Sequence, residues 1–463
     1  LSEPKTWIFR DLEYEHGWKA LEIEGTLPPD LRGRLYRNGP ARSQFIRFAH
    51  WFDGRGGIVG VRLDGEGAKA AIKLVETETL RIDERGPVHS AYASDSHPWQ
   101  RLKGLFGGRA NGNMANTSVL AWQGGLYTLF EFNPAVAFDP DTLLCGDEAV
   151  VGGVAKVGIG HAHRLPKRAT TVWVGQNPGA KVTLDVFLLP DVGAATKLTS
   201  LPLPGLTELH DVLVTESAVV LVFAPLWANP LKVALSGRFR DSLVWDAAGQ
   251  TEIVVIPLDR PDAVERHKVP PFFFWHGANA WDEPDGSLGM LLFRYDDFAS
   301  DLWFQRLAEG YADLPSGARL TSMRLDRRTG AFTEAPAWDG SGEFPYIHPG
   351  YKGSPHRYTW LAAHRPETGG RGWWDRLVRH DRQTGEARWI DPGPDRLVGE
   401  PMVVPRSDRE DDVWILSIVR DLARNLSHLA IWDGEHPTDE PVARAWFDQQ
   451  LHHTLHGVFL PDR

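Results

Sequence analysis

The chain has 463 residues and a formal net charge of −11, which leaves no basic excess to neutralise phosphates and excludes a nucleic-acid partner. That length exceeds the usual limit of one core, so either several domains or one large repetitive architecture is expected. A lone cysteine, Cys145, excludes an internal disulfide and a thiolate metal site alike, and a reducing cytoplasm is the expected setting.

The first 25 residues are charged and lack the apolar core of a signal peptide. No apolar run approaches the roughly 20 residues that span a bilayer. Helical periodicity is scarce, and short strands bounded by Gly, Pro, Asp or Asn are expected throughout. They fall at 126–132, 171–175, 182–189, 219–223, 251–257, 287–295, 318–325, 358–364, 413–419 and 428–432. RLDRRTGAFTE, containing Asp326, returns as RHDRQTGEARW, containing Asp381, and FDPDTLLCGDE at 138–148 is a looser copy. In each, an aspartate and a threonine mark a turn between two strands, the outer hairpin of a propeller blade. Division by seven gives about 66 residues per blade, which long loops on one face accommodate. The expected architecture is therefore all-β: a single seven-bladed β-propeller over residues 1–463, capped by long loops and short helices. Two packed β-sandwich domains are the alternative, but no Pro/Ser linker divides the chain.

Two longer stretches, residues 86–116 and 223–245, combine Leu, Phe and Trp with Arg101, Lys103, Lys232 and Arg238. They suit a lid that touches a membrane peripherally, apolar side chains dipping in while cations meet headgroups. An amphipathic loop packed on the propeller face is the competing reading.

Four histidines each border an apolar run: His161 in GIGHAHRLP, His210 in ELHDVLV, His276 in FFFWHGANAWDE and His456 in LHHTLHGVFLP. Spread across the chain yet alike in setting, they suit a metal centre on the propeller axis. Imidazole serves Fe, Cu, Ni and Zn, and four neutral rings without a thiolate or carboxylate favour iron with open positions for dioxygen. Metal-bound histidines usually give their other N–H to a carboxylate. Glu131 in LYTLFEFNP, Glu343 in GEFPYIHPG and Glu400 in VGEPMVVP are candidates, because an unpartnered carboxylate in such apolar settings is costly. An aromatic-rich propeller that only binds, its histidines structural, is the bland alternative.

These stretches, with GTLPPDLRGRLYRNGPA at 25–41, HWFDGRGGIVGVRL at 50–63, the triplet ANT ending at Thr117 and GEPMVVPR, resemble the carotenoid cleavage oxygenases over nearly the whole chain. The resemblance implies a seven-bladed propeller with a non-haem Fe(II) held by His161, His210, His276 and His456, and with Glu131, Glu343 and Glu400 behind three of them. At the first position His163 is a rival, since GHAH stands where the family has AHP. At the last, His452 and His453 compete, but only His456 precedes Gly and then an aromatic. Thr117 matches the family's threonine beside the vacant iron position, where it shapes the dioxygen site. The implied reaction is addition of O2 across one double bond of a polyene and collapse to two carbonyl products. In the stilbene-cleaving branch a lysine precedes the first glutamate; here that position is Phe130, which cannot hold a phenolate, so a carotenoid or apocarotenoid substrate is expected.

Overall fold

In the computed structural model the described residues are 11–42, 51–77, 113–179, 181–229, 231–232, 239–308, 317–370 and 372–462. Most of the expected lid at 86–116, and 233–238 within 223–245, lie outside them.

The described strands build seven antiparallel blades. Blade 1 runs in sheet order His16–Ala20, Ala68–Leu74, Arg55–Asp64, Arg32–Arg42 and Gly457–Pro461. Blades 2, 3 and 4 begin at Ser118–Trp122, Ala162–Leu165 and Leu213–Val214 and have four strands each. Blades 5 and 6 share one sheet, from Phe273–Asp282 to Ala387–Ile390, joined through the long strand Phe332–Tyr346. Blade 7 contains Val413–Asp421 and Leu426–Asp433 and ends on Ala443–Trp446, to which the early strand Glu22–Gly25 is added.

Strands from near both ends of the described chain are thus woven into the ring. The last strand, Gly457–Pro461, pairs with Arg32–Arg42 in blade 1, while Glu22–Gly25 pairs with Ala443–Trp446 in blade 7. Central strands such as Ala218–Phe223 and Val413–Asp421 are buried along their whole length, which accounts for their continuous apolar or β-branched runs. Neighbouring blades meet through their first strands: Ala162–Leu165 touches Leu213–Val214, which in turn touches Phe273–Asp282.

The repeated hairpins behave as their sequences predict. Asp326 accepts from the backbone N–H of Arg328 and Thr329, Asp381 accepts from Gln383, and Asp139 accepts from Asp141 and Thr142. Each closes the outer hairpin of blade 5, 6 or 2. All ten expected strands are present, with one informative difference: 126–132 ends at Leu129. The chain then leaves the sheet, Phe132 adopts φ +59° and its N–H bonds the Gly158 carbonyl, which turns Glu131 inward. Among the described residues helix is confined to short pieces, Phe239–Ser242 and Ser300–Ala308 among them. Among the described residues no helix is long and apolar enough to cross a membrane.

Candidate metal centre

His161 immediately precedes the first strand of blade 3 and His210 lies just ahead of that of blade 4. His276 lies within the first strand of blade 5, and His456 directly precedes the strand that closes blade 1. These strand ends converge on the axis, and the rings meet there. The Nε2 atoms of His161 and His210 are 3.1 Å apart, those of His210 and His276 3.3 Å, and those of His276 and His456 3.1 Å. All four ligand atoms lie within 4.8 Å of one another.

The opposite ring nitrogens face carboxylates from the remaining blades. His210 Nδ1 lies 2.7 Å from Glu131 Oε1, His276 Nδ1 2.7 Å from Glu343 Oε2, and His456 Nδ1 2.7 Å from Glu400 Oε1. Each blade therefore supplies one member: histidines from blades 1, 3, 4 and 5, glutamates from 2, 6 and 7. Tyr295 donates to the second oxygen of Glu343 at 2.7 Å; burial and that carboxylate hold its phenol well above the usual value, so it keeps its proton.

Local backbone irregularity aims these groups. The pairing of Phe273–Asp282 shifts register between Phe274 and Gly277, around His276. The pairing of Phe332–Tyr346 shifts just after Glu343, where Phe344 has φ +56°. Bulges of this kind redirect a side chain out of the pleat. Glycines admit the close approach: a Cβ on Gly160 would lie 2.5 Å from Thr117 Cγ2 and 2.6 Å from Glu131 Oε1. One on Gly457 would lie 2.0 Å from the Tyr36 carbonyl oxygen, so Gly457→Ala must displace backbone beside His456. We expect it to cost about 1–3 kcal/mol in a denaturant titration and to weaken metal retention; unchanged stability would contradict the packing described.

The donor set fits a cation. Nδ1–H of His276 and His456 is hydrogen-bonded to Glu343 and Glu400, and His210 Nδ1 lies beside Glu131; with their Nδ1 atoms protonated, the Nε2 atoms of these rings carry bare lone pairs that cannot hydrogen-bond among themselves. Burial and the neighbouring imidazoles push His161 and His456 well below the ordinary histidine value, which keeps both neutral. Metal–imidazole bonds of about 2.0–2.1 Å put right-angle neighbours roughly 2.9 Å apart and tetrahedral ones roughly 3.3 Å apart, and the three neighbouring pairs at 3.1, 3.3 and 3.1 Å fall between. The rivals lie elsewhere. His163 Nε2 meets Asp211 Oδ1 at 2.5 Å, His452 Nε2 meets the Gly57 carbonyl at 3.1 Å, and His453 packs on Trp373 with centroids 4.0 Å apart.

Aromatic rings wall the cluster. Phe52 stacks on His210 at 6.0 Å and 5°, Trp275 meets the same ring edge-on at 5.1 Å, and Phe344 lies 5.3 Å from both His276 and His456. The wall continues through Phe304, Trp51 and Trp373. Thr117 lies between two supports of the cluster: its Oγ1 is 3.3 Å from Glu131 Oε2, and its carbonyl accepts from the His456 N–H at 3.3 Å. Phe130 is buried against Met114. Tyr295, Arg37 and the His163–Asp211 pair escaped the sequence reading. Arg37 was accessible to it, because it shares the inward register of Leu35 in a strand otherwise rich in buried positions.

The retinal pigment epithelial membrane protein family matches residues 9–461. The chain belongs to this family. Members similar to it include the apocarotenoid-15,15'-oxygenase of Synechocystis sp., 25% identical over 98% of this chain and 96% of the relative. The carotenoid 9,10(9',10')-cleavage dioxygenase of Crocus sativus is 24% identical, covering 95% and 85%. Resveratrol cleavage oxygenase 1 of Aspergillus fumigatus is 24% identical, covering 96% and 92%. The crystal structure of cobalt-substituted Synechocystis ACO superposes with a TM-score of 0.87 at 22% identity, covering 99% of this chain and 98% of that one. The expected family and propeller fold are therefore both borne out.

Proposed function

We propose that this member of the family is a non-haem Fe(II) dioxygenase that cleaves one C=C bond of a carotenoid or apocarotenoid into two carbonyl products. The observation that carries this reading is the convergence of four imidazole Nε2 atoms beside an aromatic wall. Relatives named for apocarotenoid and carotenoid cleavage support the substrate class. In this reading His161, His210, His276 and His456 hold the metal, and Glu131, Glu343 and Glu400 fix the tautomer and direction of three of the rings. Four neutral nitrogens suit iron, and bound Fe(II) supplies the redox chemistry by which dioxygen reacts with an alkene.

The chain's own part is positioning and the exclusion of water. Phe52, Trp275 and Phe344 present apolar faces beside the imidazoles, where a polyene offers few polar handles and is held by shape. Thr117, packed between Glu131 and His456, shapes the side on which dioxygen enters. Phe130, buried beside Glu131, brings no charge to stabilise a phenolate, which separates this chain from a stilbene-cleaving enzyme. Leu231 at 67% exposure, with Lys232 beside it in the 223–245 stretch, supports peripheral membrane contact there. A reducing cytoplasm suits Cys145, whose thiol is pushed up to about 11, mainly by burial.

The test is to incubate anaerobically iron-loaded protein, then oxygenated, with carotenoids, apocarotenals and hydroxystilbenes, and to identify the aldehydes by mass. Cleavage of a polyene is expected. Rapid turnover of a hydroxystilbene with none of any apocarotenal would replace this reading with the stilbene one.

A further inference from the structure

Of the three glutamates behind the imidazoles, one meets a cation among the described residues. Arg37, 2% exposed, places Nη1 2.5 Å from Glu400 Oε2, while Glu400 Oε1 faces His456. The other guanidinium nitrogen donates to the Leu455 carbonyl. Next to it, Asn38 N–H donates to the His456 carbonyl at 2.9 Å and the Asn38 carbonyl accepts from Leu455 N–H at 2.7 Å. The Arg37–Asn38 pair thus holds both the carboxylate behind His456 and the backbone that carries it.

A guanidinium stays charged whatever its surroundings, and charges at a buried site act on one another strongly. We infer that Arg37 is a positioning residue that sets the charge of the metal centre. Buried Asp211, which follows His210, is offset by the buried ammonium of Lys352 that acts on it; of the groups behind the imidazoles, three carboxylates less one guanidinium then leave two negative charges, the complement of a divalent ion. A trivalent ion there is one positive charge in excess, so the arrangement favours ferrous over ferric iron. Removing Arg37 leaves three negative charges and reverses that preference. The inference rests on the metal-centre reading above.

The experiment is a mediated potentiometric titration of the bound iron, one electron passing between iron and mediator, in the wild type, Arg37→Met, Glu400→Gln and the double variant. Arg37→Met is expected to shift the ferric-to-ferrous ratio at least about tenfold toward ferric, about 59 mV for a one-electron couple. Glu400→Gln shifts it comparably toward ferrous, and the double variant returns to within about threefold of the wild type. A purely structural role disturbs both single variants alike and the double variant at least as much; that result, or single variants shifting in the same direction, overturns the inference. If Arg37→Met does not fold, Arg37→Lys keeps the charge and must keep the wild-type potential, and a tenfold shift there overturns the inference equally. A wild type that takes up no divalent metal overturns the metal-centre reading itself, an outcome distinct from bound iron with an indifferent potential.

Discussion

Replacing His276 with alanine is expected to abolish metal retention and with it alkene cleavage. Its Nε2 lies within 3.3 Å of His210 and 3.1 Å of His456, so its removal opens the middle of the cluster. Loss of an outer partner typically costs roughly 10–100-fold in metal affinity, and loss of a ligand should exceed that. The substitution also strips Glu343 of its imidazole donor, leaving Tyr295 O–H and Phe344 N–H on a carboxylate that is 2% exposed. An under-satisfied buried acceptor of this kind costs about 1–3 kcal/mol. Elemental analysis after anaerobic iron loading and dialysis, paired with a thermal melt, reads both effects. Wild-type iron content in the variant would remove His276 from the proposed centre.

Trp275→Ala is expected to cause the largest loss of stability, about 3–5 kcal/mol by the usual cost of truncating a buried tryptophan. Trp275 is 1% exposed and touches Phe52, Phe273, Phe298, Phe304 and the ring of His210. Its indole N–H donates to Ser300 Oγ at 2.8 Å, tying the short helix Ser300–Ala308 to blade 5. The cavity should therefore loosen the cap and His210 together, lowering the urea midpoint and the metal affinity in one variant. A loss below about 1 kcal/mol would show that the aromatic wall repacks and carries little of the site's rigidity.

The ring was legible because its blades repeat a turn chemistry. Asp326, Asp381 and Asp139 each bond backbone N–H groups two or three residues on, a local interaction written in local sequence. The central strands were legible as continuous apolar runs, since burial on both faces leaves no polar alternation. Blade 1 was not: Arg32–Arg42 and Arg55–Asp64 carry arginines and glycines in place of a continuous apolar run, and the outer partner of Arg32–Arg42 comes from the far end of the chain.

The site divides in the same way. The four histidines stood out because each borders an apolar run, and the glutamates because a buried carboxylate needs a partner. What sequence could not give was distance. That His163 meets Asp211 and Arg37 meets Glu400 depends on which blades adjoin across the axis, 363 positions apart in the second pair. Nor does local sequence announce the register shifts at His276 and Glu343, because a bulge arises from pairing with a neighbouring strand.

The most direct measurement is anomalous diffraction from crystals of the iron-loaded protein. A single iron peak roughly 2.1 Å from Nε2 of His161, His210, His276 and His456 is the expected result. Iron bound elsewhere, through His163 or His453 for example, or no peak between the four rings after anaerobic loading, would contradict the account.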